Sequence, residues 1–424
     1  MSRHSDKHDT VAITLIVINI VGILLAYATT IIVARLLSSS DFEQYIGAIA
    51  TAMLLASIGE AGFGKYAMRV IPLYSAKSRT HLLSGYVKYS MVGTLLFSVV
   101  LSVFVGIAEL WFRSGVSEKT MIWATGFVPL MAAAGVAIDI LMALRLAKSA
   151  MLISRIIVPV NTLLAIALAT HLPEFTSSIA VVCFCVGSCV GLMIAVHTYR
   201  QELPVLKTFE HAEYKIWEWS RHGMSYMAFY FLISWMFRST LAIAHHLPHE
   251  PDELAMLAAA FETGCLVFLL SKSTDKYYNP DISLVLQSSK WRRWTQLQSR
   301  RNGVMSIGIA VFLLIVFVFG ENILQIYGSR FVPGYPALCV IAVGSSVATI
   351  FSLAPTFLLY SGARRQLVLL LCTHVVLLGG TTAFAFPRYG ALGAATAYSI
   401  SIGSFALSSW LAANRRLRML QDQE

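Results

Sequence analysis

Charge is what this chain has least of. Of its 424 residues only 13% are Asp, Glu, Lys or Arg, against roughly 25% in soluble domains, while 57% are hydrophobic. That deficit excludes a soluble globular protein. Cysteine is scarce too, and Cys183, Cys185, Cys189, Cys265, Cys339 and Cys372 all fall inside apolar stretches, where thiols act as small hydrophobes. No secreted-type disulfide framework and no redox chemistry follow from such placement. Long loops are also missing, which leaves no room for a soluble domain between the apolar stretches. The first apolar stretch, Ala12 to Ala34, is too long for a signal-peptide core and is followed by Arg35 and Leu36 rather than a small-x-small cleavage site. It reads as a retained membrane span.

What the chain has instead is a series of stretches near the roughly 20 apolar residues that cross a bilayer. There are twelve: Ala12 to Ala34, Tyr45 to Gly64, Gly85 to Ala108, Met121 to Leu144, Met151 to Thr170, Ser178 to Thr198, Met224 to Ala244, Leu254 to Leu270, Val304 to Ile326, Tyr335 to Leu359, Leu367 to Phe386 and Ala391 to Ala413. An even number puts both termini on one side. Assigning the termini and the even-numbered loops to the cytoplasm places 26 of the 32 basic residues there, with Lys88 and Arg155 counted as inner helix ends. Five fall on the other side and one, Arg238, lies in a span. Cytoplasmic loops hold the excess of Lys and Arg in membrane proteins, so the net charge of +10 reflects topology and not a nucleic-acid surface.

The loop from Arg200 to His222 divides the spans six and six and carries Trp217 and Trp219 among mixed charges, as an interfacial amphipathic helix does. The expected organisation is a six-helix lobe over residues 1–200, a cytoplasmic connector over 201–222 and a second six-helix lobe over 223–424. Two halves of equal orientation fit a parallel repeat. Pro129, Pro159 and Pro355 sit inside spans, where each removes a backbone hydrogen bond and favours a kink. In the last span Gly393, Ala397 and Ser401 form a small-xxx-small stripe for close helix contact.

Several patterns with chemical potential need weighing. The run GEAGFGKY, Gly59 to Tyr66, has the glycine and lysine spacing of a phosphate-binding loop, but Tyr66 replaces the required Ser or Thr and the run ends a membrane helix. Its glycines read as sites of close helix approach. His245, His246, His249 and Glu250 fit no standard zinc spacing, and no metal or cofactor is expected. Glu60 and Asp139 lie near the cytoplasmic boundary of spans two and four, as interfacial carboxylates or as an inner gate paired with Lys88 or Arg155. His374 is either a proton-sensitive cavity residue or a neutral packing histidine. Arg238 and Glu262 stand inside spans seven and eight, at about 9 Å and 13 Å from the outer ends. A charge at such depth costs at least about 2.5 to 3.5 kcal/mol on insertion scales and is usually kept for a use.

From Ile326 onward, IYGSRFVPGYPAL, LLYSGARRQ and PRYGALGAATAYSIS, together with ARLLSSSDFEQY near the start, resemble bacterial polysaccharide flippases of the Wzx type. Glu43 departs from the pattern, standing where members often have glycine. The resemblance implies an all-α membrane fold, two six-helix lobes in a V around a central cavity. It implies a non-enzymatic role: moving polyprenyl-diphosphate-linked oligosaccharide from the cytoplasmic to the outer leaflet of the bacterial inner membrane, driven by a proton or sodium gradient. Implied partners are that glycan, membrane lipid, a polysaccharide polymerase and glycosyltransferases. Arg238, Glu262 and His374 are the expected substrate-binding residues; Glu262, Glu60, Asp139, Arg155 and Lys88 are the expected ion-coupling or gate residues. The alternatives are a multidrug exporter of the same superfamily, a glycan ligase or polymerase, and a non-transporting subunit of a polymer-export complex.

Overall fold

A computed structural model describes residues 2–112, 118–202, 212–271, 274–275 and 291–422. Among the described residues the chain is helical and has no strand. Its elements are α1 (Ser2–Leu36), α2 (Ser39–Gly59), α3 (Phe63–Ala76), α4 (Thr80–Phe112), α5 (Glu118–Gly126), α6 (Val128–Ala143), α7 (Ala147–Leu152) and α8 (Val158–Ala169). There follow α9 (Ser177–Glu202), α10 (Ile216–His245), α11 (Glu253–Gly264), α12 (Trp291–Tyr327), α13 (Tyr335–Ile350), α14 (Leu353–Tyr360) and α15 (Arg364–Gln421). Ten of the described helices are long and apolar enough to cross a membrane, or eleven if the two pieces Ile216–Met236 and Arg238–His245 form one span. At about 1.5 Å per residue the 58 residues of α15 would reach about 87 Å, far beyond a hydrocarbon core of about 30 Å. Gly390, at φ 57° and ψ −143°, breaks that run. Dividing α15 there restores the twelve expected spans.

The chain forms two compact units, Met1–Ser234 and Trp235–Glu424. Within the first, the Ala-rich α6 packs against α2, α3, α4 and α9. Small residues allow this, because helices in lipid associate through close van der Waals packing and not through expulsion of water. Ala132, Ala133, Val136 and Ala137 are wholly buried. Elsewhere in this unit a Cβ on Gly187 would lie 2.2 Å from Thr162 and 2.7 Å from the Val158 carbonyl, so α8 and α9 touch backbone to backbone. Near the ends of α3 and α4 the core is aromatic: Trp219 of α10 stands edge-on to Tyr86 at 5.3 Å and donates its indole N–H to the Tyr74 hydroxyl at 3.1 Å. Trp219 is therefore a core residue of this unit, not an interfacial one, whereas Trp217 is 82% exposed.

In the second unit α11 is buried against α13 and α15. The Phe261 and Tyr398 rings meet at 4.5 Å. Gly344 lies so close to Ser399 that a Cβ would clash, and the Ser399 hydroxyl donates to the Val340 carbonyl at 2.8 Å. The prolines mark helix breaks. Pro129 and Pro159 open α6 and α8, and the carbonyl four residues before Pro159 belongs to Arg155, inside the π-helical turn Ile153–Ile157. Pro355 follows the break between α13 and α14 by three residues. Each break begins where proline cannot donate to the preceding turn.

Candidate functional site

The second span is interrupted. Helix α2 stops at Gly59, Glu60 caps it, Ala61 and Gly62 take φ +48° and +69°, and α3 begins at Phe63. Gly62 is required twice over. Its left-handed φ suits glycine alone without cost, and a Cβ there would lie 2.1 Å from the Gly223 carbonyl oxygen of α10. This turn aims Glu60 and Lys65, five residues apart, at the same helix, α6.

There they meet Asp139. Lys65 Nζ donates to Asp139 Oδ2 at 2.6 Å, with side-chain exposures of 27% and 9%. Glu60 interacts electrostatically with both. Two glycines make the space: a Cβ on Gly64 would stand 2.5 Å from Asp139 Oδ2, and one on Gly135 would stand 2.3 Å from Glu60 Oε1. Lys65 Nζ also lies 5.6 Å from the Tyr230 ring centroid, within the range of cation–π attraction. Next along α3, Tyr66 stacks on His222 at 5.2 Å and packs on Tyr226 at 5.8 Å. Glu60 and Asp139 stand about 30 Å along their spans from Ser39 and Lys119, the far edge of the hydrocarbon. With both carboxylates ionised, one ammonium facing them leaves the cluster one negative charge out of balance.

The structure thus brings Glu60 and Asp139 together, but the cation that bridges to Asp139 is Lys65, not Lys88 or Arg155. Arg155 is exposed on the π-helical turn, where its backbone touches Gly22 of α1. Lys88 is half-buried on α4. His374 is buried, its Nδ1 donating to the Leu370 carbonyl at 2.7 Å and its ring edge-on to Phe405 at 5.6 Å. Arg238 and Glu262 share a different feature. Glu262 is the one exposed residue of α11, and Arg238 is the exposed residue of a stretch in which Met236, Ser239, Thr240, Leu241 and Ala242 are buried. Among the described residues no three His, Cys, Asp or Glu side chains are placed to hold a metal ion.

A second buried charge was not anticipated. Arg301 of α12 is 1% exposed. Its Nη2 donates to Asp275 Oδ1 at 2.7 Å and to the Ser352 hydroxyl at 2.6 Å, and its Nη1 to the Ile350 carbonyl at 2.9 Å. Ser352 in turn donates to Asp275 Oδ2 at 2.7 Å. Burial pushes the Asp275 carboxyl up from its ordinary value, while Arg301 and Ser352 pull it back down. Arg301 thereby closes the end of α13.

Ten or eleven helices long and apolar enough to cross a membrane, among the described residues, make this a multi-pass membrane protein, and its fold matches that of MOP-superfamily transporters. It is similar to an inward-facing multidrug resistance MATE family transporter of that superfamily, with TM-score 0.80 and 13% identity over 97% of this chain and 99% of the other. The lipid II flippase MurJ, in an inward closed conformation, matches at TM-score 0.67 and 13% identity over 96% and 90%. A MOP-superfamily transporter from Pyrococcus furiosus, whose binding pocket is described as of reverse polarity, matches at 0.61 and 11% over 97% and 96%. Identities this low establish the fold alone. No curated protein matches the chain. The sequence pattern of the polysaccharide biosynthesis protein family covers residues 11–265, more than half of the chain, and the chain belongs to that family.

Proposed function

We propose that the protein is an ion-gradient-coupled flippase carrying polyprenyl-diphosphate-linked oligosaccharide from the cytoplasmic to the outer leaflet of the bacterial inner membrane, with both termini cytoplasmic. Family membership over residues 11–265 carries this reading. Arg238 and Glu262 are the substrate pair: Glu262 is exposed on the otherwise buried α11 and Arg238 beside a buried stretch of α10, and they stand at similar depth and associate when no substrate is bound. The substrate diphosphate competes for Arg238, whose planar fork suits bidentate phosphate binding, and frees Glu262 to take a proton or cation. The Glu60–Lys65–Asp139 cluster supplies a second coupling site, since its unbalanced negative charge is neutralised by one proton or one sodium ion. Deleting the gene tests the proposal. Lipid-linked oligosaccharide should accumulate on the cytoplasmic leaflet and surface polysaccharide should disappear, without sensitivity to cationic drugs. The likeness to a multidrug transporter favours an exporter as the second reading, and drug hypersensitivity with normal surface glycan would establish it.

A further inference from the structure

At one end of the second unit, where α15 begins and ends, lies a basic cavity of about 1020 Å³. Four arginines line it: Arg364 and Arg365 from the first turn of α15, Arg415 and Arg416 from near its end. Among the described residues that line it there is no carboxylate. The cavity is built, because Arg416 donates through Nε and Nη2 to the Ser361 carbonyl at 3.3 Å and 3.1 Å. That tie holds the end of the last span against the turn that opens the eleventh. Arg364, Arg365 and Arg415 are exposed and keep their forks for another partner.

Two further features define what that partner is. Helix α15 starts at Arg364, a lining residue, with no side-chain cap, which leaves first-turn amides for an anion, as at other helix N-termini. Apart from Gln366 the remaining side chains are apolar: Val368, Leu369 and Met419 line the wall, and Leu369 is 67% exposed. Leu369, Cys372 and Val376 are exposed at spacings of three and four, so one face of the helix continues this wall along the span. A free anion would have no use for that strip. A lipid has, since its acyl chains lie along the span while its phosphate sits at the boundary.

We propose that this cavity is a binding site for an anionic glycerophospholipid of the surrounding bilayer. The arginines and first-turn amides hold the phosphodiester headgroup, and the Leu369–Val376 face holds an acyl chain. Basic recesses between membrane helices suit headgroups that carry two phosphates, and the volume and the number of arginines favour such a headgroup over one with a single phosphate. The site is independent of the transported substrate.

Native mass spectrometry of the full chain, delipidated in mild detergent and titrated with cardiolipin, phosphatidylglycerol or phosphatidylcholine, tests this. Cardiolipin should be retained best and phosphatidylcholine least. The variant Arg364→Gln/Arg365→Gln/Arg415→Gln should lose cardiolipin at least tenfold, with the helical circular dichroism and elution volume of the parent. The variant Arg69→Gln/Lys77→Gln/Arg79→Gln removes as much charge from exposed positions at the end of α3 and should retain cardiolipin. Equal loss in both triple variants would mean that diffuse surface charge does the binding and would overturn the proposal. Displacement of cardiolipin by inorganic pyrophosphate at comparable concentration would make the cavity a free-anion site and overturn it too. Unchanged binding in the arginine variant would do the same.

Discussion

Removing Asp139 should cost more when Glu60 has already been removed. Lys65 and Asp139 are in contact at 2.6 Å, a Coulomb attraction of about 6 kcal/mol at an effective dielectric of about 20. Desolvation of both groups offsets much of this, and breaking a buried pair by deleting one partner costs about 3 to 5 kcal/mol. The low end applies here because Lys65 is 27% exposed. With Glu60 present, Asp139→Asn leaves Lys65 a remaining carboxylate, so the loss should shrink to about 1 to 2 kcal/mol. In the Glu60→Gln background Lys65 has none, and the same substitution should cost about 3 kcal/mol or more. Glu60→Gln alone removes the surplus negative charge and should be close to neutral, while Lys65→Met strands two carboxylates and should be the most damaging single change. The assay is reversible unfolding of the purified chain in mixed micelles, followed by tryptophan fluorescence, for which Trp219, buried against Tyr86 and Tyr89, is a reporter within the same unit. An equal cost of Asp139→Asn in both backgrounds would show that Glu60 does not share Lys65, and the three-membered cluster would be wrong.

In cells lacking the native gene, Arg238→Ala and Glu262→Gln should each abolish flipping at unchanged protein level, and Arg238→Lys should restore only part of it because the bidentate fork is lost; normal transport by Arg238→Ala would remove the diphosphate role. Arg301→Met should destabilise the second unit by about 3 kcal/mol or more, since the Ile350 carbonyl loses its Arg301 donor and Asp275 its cation, and Ser352→Ala by about 1 kcal/mol; the check is the same unfolding assay, with Arg301→Lys expected to recover little. Cysteines placed at Ser5 and Gln423 of a cysteine-free variant should stay unlabelled by an impermeant thiol reagent in intact cells, and one at Ser117 should label; the reverse pattern would invert the topology drawn from the basic residues.

The spans were readable because a bilayer imposes one strong demand, about 20 apolar residues in a row, and the loops between them are short. Even the division of α15 at Gly390 follows from the gap between Phe386 and Ala391. The charges at the span ends were not readable by the same rule. Hydropathy ends the second span at Gly64 and counts Lys65 with the cytoplasmic loop, yet α3 continues that span and turns Lys65 inward onto Asp139. Arg301 likewise counts as a loop residue until α12 is seen to begin ten residues earlier, at Trp291. In both places helix geometry extends past the end of the apolar run, and a basic residue just beyond it is as well placed to face inward as outward. One signal in the sequence did point to Lys65: the glycines of Gly59 to Gly64 mark close approach, and what approaches Gly64 is a carboxylate.

Those two buried cations do different work, and the backbone tells them apart. In the second unit α13 ends at Ile350, where the Thr349 carbonyl receives the Ser352 amide only at 3.5 Å, and hydrocarbon offers no water to make up the rest. Arg301 supplies the donors, to Ile350 at 2.9 Å and Thr349 at 3.4 Å, and Asp275 and Ser352 hold its fork in position. Its charge is committed to closing a helix end. The break in the first unit needs no such help: the amides of Glu60, Ala61 and Phe63 bond the carbonyls of Ala56, Ile58 and Glu60 at 2.8 to 3.0 Å, so the turn satisfies itself. Lys65 donates to Asp139, a side chain, and Glu60 adds a second carboxylate that the turn does not require. An apolar trio at these positions would fill the same space at lower cost in desolvation. Charges held without a structural task at the edge of the hydrocarbon are the kind retained for use, which is why we propose the coupling role for Glu60, Lys65 and Asp139 and not for the more deeply buried Arg301.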